Sequence, residues 1–76
     1  MIEAVRFIIE HLVDNKQDIS ITSSLENGVE TITVKVAPGD VGKVIGKKGK
    51  IVTAIRTIFK AAGIKNGQRY AIEIAD

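Results

Sequence analysis

Seventy-six residues, 45% hydrophobic and 26% charged, make one small globular domain that buries only ~60% of the surface its unfolded chain exposes. The longest apolar run is about three residues, far short of the ~20 a membrane helix needs, and no basic leader precedes an apolar core at the N-terminus. With a net charge of +2, no cysteine and a single histidine, His11, the chain reads as a soluble intracellular domain without disulfides, thiolate zinc sites, redox or haem chemistry.

Ile2 to about Asp14 reads as a helix. Ile2, Val5, Ile9, Leu12 and Val13 fall in one arc at 100° per residue, with Ile8 beside them. Asn15 suits a left-handed cap, His11 lies at the polar edge, and Phe7 projects off the stripe and is expected to fold over the helix edge. Residues 18–25 alternate, with Ile19, Ile21 and Leu25 on one side, as a half-buried strand does. Asn27-Gly28 is a hairpin turn, because both residues tolerate positive φ. The returning strand, 29–36, sends Ile32, Val34 and Val36 inward.

Pro38-Gly39-Asp40 breaks the chain, and Asp40 is a natural N-cap for a short helix. Val41, Val44 and Ile45 share a face of that helix, Gly42 and Lys43 are exposed, and Gly46 stops it. A further helix runs from Lys50 to about Ala62. Ile51, Ala54, Ile55, Ile58 and Ala62 form its core stripe, Val52 and Phe59 its border, and Gly63 its end. A polar loop, 63–68, leads to a last strand with Tyr70, Ile72 and Ile74 on one face. The crossover through two helices is long enough to return the chain parallel to strand 29–36. A right-handed crossover puts its helices on one side of the sheet. The fold class is α+β: three helices on one face of a three-stranded mixed sheet, in the order α-β-β-α-α-β.

The segment that carries chemistry is Val44-Ile45-Gly46-Lys47-Lys48-Gly49-Lys50-Ile51. Glycine removes the Cβ that keeps a ligand away and opens backbone angles closed to other residues. The helix that follows presents unpaired N–H groups and its positive dipole end. Lys47 and Lys48, in a turn this tight, project outward. The result is a cradle for a phosphodiester backbone. Competing glycine motifs fail on spacing. Only three residues separate Gly42 from Gly46 where a P-loop has four, Lys48 stands where its hydroxyl belongs, and a dinucleotide fingerprint needs glycine at Val44.

Charge agrees with a polyanionic partner. Residues 1–34 hold two basic against six acidic residues, a balance of −4, and residues 35–76 hold nine against three, +6. Six basic residues and no acid lie between Lys43 and Lys60. No nucleophile–base pair or carboxylate cluster can be placed, so an enzyme is not expected.

The stretch resembles the signature of the K-homology (KH) RNA-binding domain, V/I-I-G-x-x-G-x-x-I, whose last position falls here at Val52. The element order is similar to the type II KH arrangement. Leu12-Val13-Asp14-Asn15, Val36-Ala37-Pro38, Asp40 to Lys47 and Ala54-Ile55-Arg56-Thr57-Ile58 resemble the small stand-alone bacterial KH proteins of the KhpA type. This likeness covers nearly the whole chain, so residues 1–76 are expected to form a single KH domain. Members of that family more often carry glutamine at position 48, and often a proline after Asn15. The lysine at 48 should strengthen phosphate binding.

The resemblance implies a groove for about four single-stranded nucleotides, with the GXXG loop clamping the backbone. Gly46, Lys47, Lys48 and Gly49 then hold phosphates, and Lys43 and Lys50 flank them. Gly42, Val41, Val44 and Ile45 form the apolar floor or the core beneath it. Arg56 reaches toward the strand, and the loop 63–68 is the variable rim, with Ile72 beside it. The resemblance further implies single-stranded RNA as ligand, a homodimer, a larger KH-domain-containing partner of the Jag type, and a cytoplasmic role as an RNA chaperone or regulator. It implies neither a cofactor nor a membrane. Only Phe7, Phe59 and Tyr70 are aromatic, and none lies in the motif, so base recognition is expected to rest on apolar packing and base-edge hydrogen bonds. A rival reading makes the GXXG surface chiefly the dimer interface of a protein–protein adaptor.

Overall fold

The structure, a computed structural model, describes residues 1–75. Helix α1 spans Ile2–Glu10, strands β1 and β2 span Ser20–Glu26 and Val29–Lys35, helices α2 and α3 span Val41–Ile45 and Lys50–Asn66, and strand β3 spans Arg69–Ala75. Single 3-10 turns at Lys16–Asp18, Pro38–Asp40 and Lys47–Gly49 join them. The sheet order is β1-β2-β3. β1 and β2 are antiparallel, from Ser20 opposite Lys35 to Glu26 opposite Val29. β2 and β3 are parallel, from Val29 opposite Arg69 to Lys35 opposite Ala75. Asn27 and Gly28, at φ 53° and 78°, form the expected tight turn, whose twist matches that of the strands.

One core holds the layers together. Val5 and Ile9 of α1, Ile32 and Val34 of β2, and Val44 of α2 are fully buried, and Ile55 and Phe59 of α3 and Ile72 of β3 join them. The inward face read for β2 and β3 is therefore the buried one.

Several local expectations are corrected. α1 ends at Glu10, because the amides of His11 and Leu12 reach back only three residues, to Ile8 and Ile9. Asn15 has φ −99° and is not left-handed. Its amides serve another group, described below. Phe7 stays 63% exposed, its ring against His11 at 4.5 Å between centroids. Leu25 is 69% exposed, since burial fades along edge strand β1 toward the turn and the core reaches only Ile21.

The largest correction concerns α3. Val52, Ile55, Phe59 and Gly63 are buried, whereas Ala54 and Ile58 face solvent. Two adjoining apolar stripes compete for the core. The one holding Phe59 wins because an aromatic ring removes more apolar surface from water than alanine does. Gly63 lies inside the helix. A Cβ there would sit 2.6 Å from the Gln68 carbonyl oxygen and 3.0 Å from the Tyr70 ring. The helix ends instead at Gly67, in the left-handed conformation at φ 70°. The Gln68 amide bonds the Gly63 carbonyl at 2.7 Å, and the Gly67 amide bonds that of Ile64, the Schellman arrangement. The expected loop 63–68 is thus mostly helix.

Candidate nucleic-acid interface

The α2–α3 elbow is built by two glycines that act differently. Gly46 has φ 78° and ψ 171°, a region open essentially to glycine alone. A Cβ there would stand 2.5 Å from Ile51 Cγ1, so Ile51 packs where a side chain would be. Its amide closes α2 onto the Gly42 carbonyl at 2.8 Å. Gly49 has φ 74° and open space around it, and it caps the start of α3. Between them Lys48 is itself left-handed, at φ 57° and ψ 25°, a conformation that costs a non-glycine residue ~1–2 kcal/mol.

This turn leaves a distinct set of donors. Among the described residues, the amides of Lys47 and Lys48 have no backbone acceptor, and that of Gly49 bonds the Gly46 carbonyl at 3.1 Å. The seventeen-residue α3 begins directly after them, so its positive end adds to the field. Lys47, Lys48 and Lys50 are exposed. Among the described residues, ion pairs form only at Lys43, so these three ammonium groups are uncompensated. The arrangement suits an oxyanion held by amides and flanked by cations.

The apolar residues beneath divide. Val44 is fully buried and belongs to the core, while Val41 and Ile45 are half-buried beside the elbow. Gly42 is exposed. Arg56 lies one flank round α3, and its Nε donates to the Ile72 carbonyl oxygen at 3.1 Å. This bond ties α3 to edge strand β3, beside a shallow depression lined also by Lys60, Ala71 and Glu73.

Asp40 stands at the N-cap of α2, as expected, but its side chain is used elsewhere. It makes no side-chain cap bond to α2. It is 1% exposed, and its Oδ2 accepts from the Asn15 backbone amide at 3.0 Å and from Asn15 Nδ2 at 3.2 Å. Its Oδ1 accepts from Lys43 Nζ at 3.2 Å, and Lys43 also pairs with Asp14. The cluster fastens the segment after α1 to the start of α2, and so fixes the elbow from behind. Lys43 is held here rather than free. The only hint in the sequence is the polar run Asp14-Asn15, whose partner lies 25 residues away.

The Asn15 amide bond, despite burial, holds the Asp40 carboxyl below its ordinary value of 3.8. Asp14, then Asp40, raises the Lys43 ammonium above 10.5. A lowered carboxylate stabilises the fold fully above pH 3.8, and this is lost as pH falls through its folded value. The raised lysine contributes fully below pH 10.5 and is lost as pH rises through its folded value. Asp40→Asn should therefore melt at a lower temperature at pH 7 and show a flatter acid limb in a pH series of thermal melts. An unchanged acid limb would refute the assignment.

A model of the KhpA/KhpB KH domain matches residues 2–74. The chain belongs to the KhpA/KhpB KH-domain family. Its element order is that of the type II KH fold, and the family is not one of enzymes. It is similar to the RNA-binding protein KhpA of Clostridium perfringens, 43% identical over 74 residues, covering 97% of this chain and 99% of that one. It is similar also to the RNA-binding protein KhpA of Treponema pallidum, 42% identical over 74 residues, covering 97% and 92%. A third similar protein is the RNA-binding protein KhpA of Caldanaerobacter subterraneus subsp. tengcongensis, 45% identical over 72 residues, covering 95% and 96%. No solved structure matches the chain. Among the described residues no helix is long and apolar enough to cross a membrane.

Proposed function

We propose that this KH domain, residues 1–76, binds single-stranded RNA and holds about four nucleotides with the GKKG elbow on their phosphates. One observation carries the reading: among the described residues, two amides without a backbone acceptor at the head of α3 lie among exposed lysines that make no ion pair. Gly46, Lys47, Lys48, Gly49 and Lys50 form the clamp. Val41 and Ile45, with Gly42, line its floor over buried Val44. Lys43 flanks it from within the Asp40 cluster, and Arg56 marks the strand side.

Affinity from roughly two to four phosphate contacts is low, ~10⁻⁴–10⁻⁶ M. Pairing raises it, because a second linked site gains effective concentration. Ala54, Ile58 and Ala61 give α3 an exposed apolar strip, with Ile58 54% exposed. A homodimer, or a complex with a larger KH-domain protein of the Jag type, fits this strip. Val52 and Phe59, on the other side of the helix, are buried and take no part in it. The protein then acts as a cytoplasmic RNA chaperone or regulator.

A salt series tests this against the adaptor reading, which the same strip favours. Single-strand binding loses ~0.7 per phosphate in the slope of log K against log salt, giving roughly −1.4 to −2.8 here. A slope near zero, with sedimentation showing undiminished self-association, would favour an adaptor.

A further inference from the structure

Strand β1 forms one edge of the sheet and lacks the devices that blunt such an edge in most proteins. It holds no lysine, arginine or proline, and its single charge, Glu26, stands last. Its pairing with β2 runs from Ser20 to Glu26 without a bulge. The opposite edge, β3, carries Arg69 and Glu73. Residues 22–26 are all exposed. α1 lies against β1, whereas α3 lies against β3, so the β1 edge is on the side of the sheet away from α3.

The turn decides which backbone groups of β1 are free. Asn27 and Gly28, both at positive φ, make a two-residue type I′ loop, and the residues flanking such a loop exchange hydrogen bonds. Bonded and non-bonded pairs then alternate along an antiparallel ladder. Counting back from Glu26, Ser24 and Thr22 bond β2, opposite Thr31 and Thr33. Ile21, Ser23 and Leu25 turn their N–H and C=O groups outward. Among the described residues no loop backbone meets these groups.

The strand is complementary to itself. Laid antiparallel against a second β1 and centred on Ser23, it sets Ser23 opposite Ser23 of the second copy and Ile21 opposite Leu25 of the second copy. Every outward residue of each strand is then paired. Leu25 is 69% exposed, and its neighbour on β2 is Glu30, so the second copy's Ile21 supplies the apolar contact that its own sheet does not. Glu26 of the second copy falls opposite Ser20, in one cross-strand row with Lys35. Both are exposed. Opposite charges therefore flank the seam at each end, and no like charges face each other across it.

We propose that β1 is a self-association edge, on which a second copy of this chain adds its own β1 antiparallel and so doubles the three-stranded sheet. About six main-chain hydrogen bonds, two from each outward pair, hold the seam. It is separate from the exposed strip of α3 and independent of RNA binding. The area is small, so pairing is weak and depends on concentration.

Sedimentation equilibrium of the full chain, taken to millimolar protein, reads this pairing. Ile58→Lys, at a position 54% exposed, is made first, so that the α3 strip cannot contribute. In that background the mass should rise with concentration toward twice 8.2 kDa. Ser23→Pro removes one outward N–H per copy and no bond to β2, a change that edge strands tolerate. It should weaken pairing roughly tenfold or more. Ser23→Lys sets two ammonium groups opposite each other and should weaken it likewise, and it decides the matter if circular dichroism shows the proline variant unfolded. The chain has no cysteine, so cross-linking reads the register. Ser23→Cys should be joined to its counterpart by a short bis-maleimide. Ser20→Cys should not, because the register holds it ~20 Å from its counterpart at ~3.4 Å per residue. A mass that stays at the monomer, pairing untouched by the Ser23 variants, or equal cross-linking at the two positions overturns the proposal.

Discussion

Lys47→Asp combined with Lys48→Asp should weaken binding of short single-stranded RNA by at least ~100-fold, on two charged hydrogen bonds of ~1.5 kcal/mol each. The effect is large because the clamp holds few charges. Both lysines are exposed and lie among residues with no acid from Val41 to Ile72. Reversing them puts two carboxylates beside the amides that would meet a phosphate, so repulsion is added to lost attraction. Folding should survive, since exposed changes of this kind stay within ~0.5 kcal/mol. Position 48 favours the substitution, because its φ of 57° is tolerated better by aspartate than by lysine. Circular dichroism establishes the fold, and anisotropy of labelled RNA measures binding. A folded double variant with undiminished RNA affinity would remove the elbow from the binding surface.

Gly46→Ala should be the most damaging single methyl in the motif. It meets both a backbone region closed to alanine, at φ 78° and ψ 171°, and the branched carbons of Ile51, with Cβ contacts of 2.5 and 2.7 Å. The second of these is Ile51 Cβ, which no rotamer change can move. Backbone strain of ~1–3 kcal/mol and overpacking of similar size add to roughly 2–6 kcal/mol. In a domain of this size that lowers the melting temperature by roughly 10–50 °C. Gly49→Ala, which meets nothing within 4 Å, should cost only the ~1–2 kcal/mol of its left-handed conformation. Thermal melts of the two variants decide the point. Equal shifts would show that Ile51 does not fill the space under Gly46.

What could be read beforehand follows the range of the forces involved. The hairpin was legible because Asn27-Gly28 specifies its own geometry. The sheet faces were legible because alternation in β2 and β3 has one solution. The elbow was legible because all its parts are contiguous. The burial of α3 was not, because two apolar stripes lie side by side on it. Sequence periodicity does not say which one the sheet accepts. Gly63 and Gly67 are both plausible helix ends. The choice depends on Gln68 and Tyr70 returning over Gly63, a contact that exists only once β3 is in place. Asp40 was legible as the N-cap of α2, but its side-chain bonds were not, because Asn15 reaches it only in the folded molecule. Arg56 likewise turned to the carbonyl of Ile72, a distant residue on an edge that only the topology creates.

The parallel pairing of β2 with β3 also sets an order of events during synthesis. Hairpin residues are neighbours and meet early, whereas β3 must wait for the whole crossover to be made and closed, a slow class of contact. Until then α3 lacks both its Ile72 seat and its Arg56 tether, and the elbow has no rigid frame. A nascent chain whose third strand is still inside the ribosome accordingly lacks the frame on which the elbow is set.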